Sequence, residues 1–254
     1  MWVTLNCTHY FFQESFIMQK YKKTVVVTGA ASGIGQFVMN QYAVMQEYSV
    51  IGVDINEMVQ IDNARFFKVD LCCHDDVGNV FKEINRIDIA INCAGVSSTR
   101  KPMLDFYPDE ITKCWQENFF PAFNAMQNEI SIMIKGGSGG KIINIASISA
   151  HFGMKGFLAY SLAKSAIINM TKVAAIEHAE AGIKINSISP ATIDTPMIRN
   201  KYSGVLRDYS SVYHTKNCGT VNDVFSVIKM LESNEFMTGA DIKIDGGKSD
   251  LLTI

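Results

Sequence analysis

Tyr160 and Lys164 stand four positions apart in the stretch "YSLAK". On a helix that spacing puts both side chains on one face, one turn apart. An ammonium about 5 Å from a phenol, at an effective dielectric near 20, favours the phenolate by roughly 3 kcal/mol. That is roughly two units off a phenol pKa near 10, which brings a tyrosine within reach of neutral pH as an acid or base. Ser147 closes the apolar run "KIINIAS", where its hydroxyl can hold the oxygen that loses or gains the proton. Taken alone, a tyrosine and a lysine at this spacing also fit a solvated helix face.

A second group of residues suits a phosphate. "TGAASGIG" carries Gly29, Gly33 and Gly35 between the apolar run "TVVV" and the stretch "QFVMNQYAVMQEY". Glycines at such a handover allow a tight turn, close approach of the backbone to a pyrophosphate, and close packing of the next helix on the sheet. The turn alone is a weak signal, and an ordinary strand-to-helix turn is the competing reading. Asp54 decides against it. It ends the next strand, "SVIGVD", where its carboxylate can accept from both hydroxyls of an adenosine ribose. A 2′-phosphate there meets a carboxylate, and neither Ala30 nor Ala31 offers a cation, so NAD is expected over NADP.

The elements that must position these residues alternate along the chain. Strands are expected at "TVVVT", "SVIGVD", "RFFKVDL", "IDIAINCAG", "KIINIAS", "IKINSIS" and "DIKID". Helices are expected over 34–48, 75–86, 109–134, 156–181 and 221–232. Short apolar strands between helical patterns indicate a parallel sheet covered on both faces, a doubly wound α/β domain of about seven strands. In such a sheet ligands lie at the carboxyl ends of the strands, beside the switch point. The crossover from Asp54 to Asp70 is too short for a strand and a full helix, so its helix must be reduced or missing.

Composition narrows the class of protein. The 254 residues are 48% apolar and 19% charged, as in a globular chain. A net charge of −2 gives no general attraction to nucleic acid or anionic lipid, and no apolar run is long enough to span a bilayer. The six cysteines show no framework spacing, which points to reduced thiols and a cytoplasmic setting. In "CCHDD", adjacent cysteines point apart and the aspartates suit a helix start, so no metal site is expected. Residues 1–22 are aromatic-rich and unlike the rest; 1–17 are expected to be a surface arm, unless the chain truly starts at Met18. The catalytic domain is expected over 23–254.

The glycine spacing T-G-x-x-x-G-x-G resembles the short-chain dehydrogenase/reductase family. So do "NCAG" (92–95), Asn118, Ser147, "YSLAK", "SPATIDTPM" and "TGADIKIDGG", and the likeness runs from about 22 to 247. The resemblance implies a Rossmann fold and an NAD(H)-dependent oxidoreductase interconverting a secondary alcohol and a ketone. Tyr160 would move the proton, Lys164 would lower its pKa and hold the nicotinamide ribose, Ser147 would orient the substrate, and Asn118 would anchor a water relay to Lys164. It further implies cofactor contacts at Gly29, Ser32, Gly33, Ile34, Gly35, Asp54 and Ile55, at Asp70 and Leu71 beside the adenine, and at Asn92, Ala94 and Gly95. Pro190, Ile193 and Thr195 would lie at the nicotinamide end. A homotetramer or homodimer is implied too.

Three positions depart from the family pattern. Cys93 replaces a common asparagine, and Ala191 replaces the usual glycine after Pro190, restricting that turn. Pro121 stands where a glycine is frequent; lacking an N–H, it should open or kink the helix beside Asn118. Substrate choice is expected to lie in 96–102, in 151–157 and in a lid over about 195–218. The lid carries Tyr202, Tyr209 and Tyr213 with Arg199, Lys201 and Arg207, which fits an aromatic or anionic substrate and equally a merely amphipathic cover. Two other functions share these features: a non-catalytic NAD-binding regulator on the same fold, and an isomerase or dehydratase that retains its cofactor.

Overall fold

Seven parallel strands lie side by side in the order β3-β2-β1-β4-β5-β6-β7 in the computed structural model, which describes residues 22–58 and 60–249. The strands are β1 (Lys23–Thr28), β2 (Tyr48–Asp54), β3 (Ala64–Lys68), β4 (Ile89–Asn92), β5 (Gly140–Ile145), β6 (Ile183–Pro190) and β7 (Asp241–Ile244). The helices are α1 (Gly33–Ala43), α2 (His74–Phe81), α3 (Pro108–Asn118), α4 (Phe120–Gly136), α5 (Leu158–Glu177), α6 (Pro196–Asn200) and α7 (Val221–Ser233). The expected arm lies outside the described residues.

Successive strand residues feed opposite layers. Val25 and Val27 pack with Val38, Met39 and Tyr42 of α1 and with Val224 and Ile228 of α7. Val26, Ile51 and Val53 face the other way, against Val77 and Phe81 of α2 and Met126, Ile130 and Met133 of α4. With both faces covered, the strands can be almost wholly apolar, which is why "TVVV" and "KIINI" read as continuous runs. The sheet is a doubly wound Rossmann-type sheet, and its switch point falls between β1 and β4.

Several boundaries differ from the sequence expectation, each for a physical reason. The first helix stops at Ala43 because Tyr48 pairs with Lys23 and enters the sheet. The helix expected over 75–86 ends at Phe81, and Ile84 and Ile87 instead bury themselves in the turn leading to β4. No helix occurs among the described residues between β2 and β3, as the short crossover requires. The long helix expected over 109–134 is two helices, parted at Phe119 (φ −95°, ψ −51°) with Pro121 in the first turn of the second. Backbone bonds from Phe119 to Trp115 and from Phe123 to Phe119 cross the break, and among the described residues no amide reaches the Asn118 carbonyl.

Candidate active site

The carboxyl ends of β1, β2, β4, β5 and β6 open onto a cleft of ≈ 630 Å³, within the usual size range of small-molecule sites. Of the residues named from sequence, Gly29, Ser32, Gly33, Ile34, Gly35, Asp54, Ile55, Asp70, Leu71, Ala94, Gly95, Ser147, Tyr160, Lys164, Pro190, Ile193 and Thr195 all line it. Asn92 and Asn118 do not. Both are buried, at 2% and 0% exposure.

The glycine turn is built for close approach. Gly29 has φ +67°, and a Cβ there would stand 2.8 Å from the Ala94 amide, so β1 and β4 can meet at their ends. A Cβ on Gly35 would fall 2.1 Å from the Gly29 carbonyl oxygen, so only glycine lets α1 start this close to the strand. Ser32 makes no side-chain capping bond, which leaves the first-turn amides of α1 open toward the cleft. Open amides at a helix N-terminus, backed by glycine, fit a pyrophosphate. Asp54 closes this end. Its Oδ2 accepts from the Ala31 amide at 3.0 Å, and its Oδ1 accepts from the Asn56 amide at 2.8 Å and the Asn56 side-chain amide at 3.2 Å, which fixes the carboxylate at the rim with one lone pair of Oδ2 free.

No cation neighbours Asp54 along the chain, but the pairing of β2 with β3 brings one beside it. Lys68 is the register partner of Asp54 across β2 and β3. Its ammonium is taken by Glu57 at 2.9 Å. Spacing along the chain does not reveal this neighbour, because the pairing of β2 with β3 creates it.

At the other end, Lys164 donates to the Ile145 carbonyl at 3.0 Å, and its Nζ lies 5.8 Å from the centre of the Tyr160 ring. A Cβ on Gly95 would come within 3.0 Å of Asn118 Oδ1 and 3.5 Å of Lys164 Nζ, so the three residues converge. Asn118 is held by its own bonds: Oδ1 accepts from the Val96 amide at 3.1 Å, and Nδ2 donates to the Cys114 carbonyl at 3.1 Å. Ser147 accepts from the Ser149 amide at 3.2 Å and caps the short 3₁₀ turn that follows β5.

The expected drop in the Tyr160 pKa does not occur in the protein alone. Burial pushes the phenol up to about 12, against the downward pull of the Ser147 hydroxyl and with a further push from Cys114. Burial also brings Lys164 down to about 8. Removing both groups from water penalises phenolate and ammonium alike, and the Coulomb estimate at fixed dielectric left that penalty out.

Two of the departures are accommodated. Ala191 has no positive φ and donates its N–H to the Ile244 carbonyl at 2.8 Å, so the turn after Pro190 does not need glycine. Cys93 lines the cleft, and burial holds its thiol up at about 12. Asn92 sits behind the wall, where its Nδ2 donates to Glu129 Oε2 and Asn144 Oδ1, both at 3.0 Å, and its Oδ1 accepts from Thr28. In "CCHDD", Cys72 donates to the Gln116 carbonyl, and Asp75 and Asp76 occupy the first turn of α2. Val96, Met197 and Ile198 line the cleft from the loop and lid expected from sequence, while Asn56 and Glu117 line it without having been named.

Comparison with known proteins agrees with this geometry. The short chain dehydrogenase family profile matches residues 23–205. The 3-oxoacyl-(acyl-carrier-protein) reductase FabG of Buchnera aphidicola is 30% identical over 91% of this chain and 98% of its own. An NAD-dependent glycerol dehydrogenase of Listeria innocua is 33% identical over 89% of this chain and 93% of its own. The solved structure of ElxO with NADP bound superposes with a TM-score of 0.82 at 29% identity, over 90% of this chain and 99% of that one. With a strand-end glycine cradle, a Ser147–Tyr160–Lys164 cluster and this profile match, the chain belongs to the short-chain dehydrogenase/reductase family of nicotinamide-dependent oxidoreductases that act on CH–OH groups.

Proposed function

We propose that the protein interconverts a secondary alcohol and a ketone with NAD(H) in preference to NADP(H). One observation carries the reading: Ser147, Tyr160 and Lys164 share a single cleft with the open amides of α1 and with Asp54. A bound nicotinamide accepts or supplies the hydride. Tyr160 exchanges the proton of the substrate oxygen, and Ser147 holds that oxygen and stabilises charge developing on it. Lys164, fixed by the Ile145 carbonyl, holds the nicotinamide ribose and supports the phenolate. Asn118, beside the opened helix, anchors the water path that resupplies Lys164. Asp70 and Leu71 flank the adenine, while Pro190, Ile193 and Thr195 border the nicotinamide.

The NAD preference rests on Asp54 and on Lys68 being neutralised by Glu57. The test is kcat/KM for NADH and NADPH on a panel of ketones, together with NAD⁺ on secondary alcohols and cyclic diols. NADH is expected to be the better cofactor, and Glu57→Gln, which frees Lys68, is expected to narrow the gap. Equal use of both cofactors by the unaltered protein would overturn the preference, and absence of turnover across the panel would overturn the oxidoreductase assignment of the site. The lid over about 195–218, an assembly of two or four copies, and a cytoplasmic setting belong to the same reading. For the last, the five cysteines among the described residues form no disulfide, and no described helix is long and apolar enough to cross a membrane.

A further inference from the structure

Both lone pairs of the Ser147 hydroxyl are engaged by the turn that follows it. Ser147 caps the 3₁₀ turn Ile148–Ala150 from an extended backbone, at φ −166° and ψ 150°. Two donors of one residue converge on its Oγ: the Ser149 amide at 3.2 Å and the Ser149 hydroxyl at 3.0 Å. A hydroxyl oxygen offers two lone pairs and one proton, so Ser147 keeps only its proton to give. Its side chain lines the cleft together with Tyr160, and an acceptor for that proton belongs there.

Burial fixes the direction of the bond between the two hydroxyls. Ser149 is 3% exposed, and among the described residues Ser147 Oγ is the one partner of its hydroxyl. Reversing the bond would bury the Ser149 proton without an acceptor, which is the costlier arrangement. Ser149 therefore donates and Ser147 accepts. The downward pull of Ser147 on the Tyr160 phenol agrees with a Ser147 proton directed at that oxygen. The turn that sets this geometry is itself held. The Ala150 amide donates to the Ser147 carbonyl and the His151 amide to the Ile148 carbonyl, each at 3.0 Å. His151 then donates from Nε2 to Asp241 Oδ2 at 2.8 Å, and Asp241 Oδ1 accepts from Ser189 at 2.9 Å. Through these bonds β6 and β7 brace the turn that orients Ser147.

We propose that Ser149 is a positioning residue, which commits the Ser147 hydroxyl to donate into the cleft, toward the oxygen that gains or loses the proton. The proposal rests on the alcohol–ketone reading. That oxygen needs a donor in both directions of the reaction. A ketone oxygen can only accept, and an alcohol oxygen gathers negative charge as its proton leaves. A Ser147 hydroxyl free to rotate would spend part of its time with the proton turned away. Ser149 removes that freedom, so the donor is set before charge develops.

The experiment is a double-mutant cycle of Ser149→Ala and Ser147→Ala, with Ser149→Thr as the conservative control. Ser149 also lines a cavity of ≈ 470 Å³ with Phe152, Met154 and Leu162, so an added methyl has space while the hydroxyl is kept. Reduction of cyclohexanone, 4-phenylbutan-2-one and dihydroxyacetone is followed at saturating NADH. Each ketone is also titrated calorimetrically against NADH-loaded Tyr160→Phe protein carrying the same substitutions. Ser149→Ala is expected to lower kcat/KM for the ketone by roughly 3- to 10-fold, the net worth of one hydrogen bond, with KM for NADH unchanged. Ser149→Thr is expected to restore the rate. In the Ser147→Ala background, Ser149→Ala is expected to change the rate less than about twofold, because no hydroxyl is left to orient; a purely structural loss would persist there. Full turnover in Ser149→Ala, or a loss undiminished by Ser147→Ala, would overturn the positioning role and leave the redox reading standing. With no turnover of any ketone, binding decides. Binding that Ser149→Ala weakens only where Ser147 is present would uphold the positioning role and count against the redox reading. Binding indifferent to Ser149, or no binding at all, would overturn both.

Discussion

At the scale of single residues, the proton transfer proposed for Tyr160 runs more readily from its phenol than to it. Its phenol, pushed up to about 12, is protonated at neutral pH. Ketone reduction therefore starts from the form already present, whereas alcohol oxidation needs the scarce phenolate. Below its pKa the phenolate fraction grows tenfold per pH unit, so kcat/KM for oxidation is expected to climb between pH 6 and 8 while reduction stays nearly level. A level oxidation profile would mean that another group takes the proton. Tyr160→Phe removes only the hydroxyl, and turnover should fall by roughly 10²–10⁴-fold with NADH binding nearly intact. Lys164→Ala should weaken cofactor binding as well as rate. The convergence of Tyr160, Lys164 and the turn glycines on one cleft was legible in the chain because it depends on local spacing: four positions on one helix, and glycines at one turn. The surroundings of Asn92 were not legible, for the opposite reason. It sits in a motif that ends at the cleft, yet strand alternation turns its side chain into the wall, toward Glu129. The Lys68 neighbour of Asp54 likewise depends on strand register, which no local pattern encodes.

At the scale of elements, β1, β4 and β5 are joined to α4 and α5 by a buried polar network. Thr28 bonds Asn92, Asn92 bonds Glu129 and Asn144, and Asn144 donates to Thr171 at 2.9 Å. Glu129 is fully buried, and its Oε1 has no partner among the described residues. Burial raises its carboxyl to about 8, partly offset by the bond from Asn92. Between the ordinary 4.5 and about 8 the folded protein holds a proton that the unfolded chain releases, so stability falls as pH rises through that window. The slope is at most about 1.4 kcal/mol per pH unit. Glu129→Gln has no proton to lose there, so its stability should depend less on pH and gain on the parent between pH 5 and 8. Denaturant titrations at four pH values would measure this, and parallel curves for the two proteins would sink the idea. The seven strands and the long helical stretches could be read from apolar periodicity; the break at Phe119, the short α6 and the end of each element could not. Tyr48 shows why, since its place in β2 depends on pairing with Lys23 and on a 2.5 Å bond to Glu232 of α7. Both partners are remote in sequence.

At the scale of the whole molecule, the helices around Asn118 and Tyr160 have apolar surfaces that the described residues leave uncovered. Around the break at Phe119, the rings of Trp115, Phe119, Phe120 and Phe123 pack against one another, mostly tilted or edge-on, with centroids between 4.9 and 6.4 Å apart, and Phe120 is 39% exposed. On α5, Leu162, Val173 and Ile176 are exposed, the last at 80%. Contiguous apolar patches of this kind are uncommon on monomers, and a two-fold contact would bury each patch against its own copy. The consequence for the site is direct. Packing against a second copy would hold the opened helix in place, and with it Asn118 and the loop after β4. Light scattering at micromolar concentration is expected to give twice or four times the chain mass, with a thermal midpoint that rises with protein concentration. Phe120→Lys combined with Ile176→Lys places charges in the contact and is expected to yield smaller species of lower thermal midpoint. Residual activity in such dissociated protein should fall mainly through kcat, since the cofactor cradle of α1 lies elsewhere in the fold. A stable monomer in the unaltered protein, with full turnover and a concentration-independent midpoint, would refute the assembly and leave those aromatic faces to some other use.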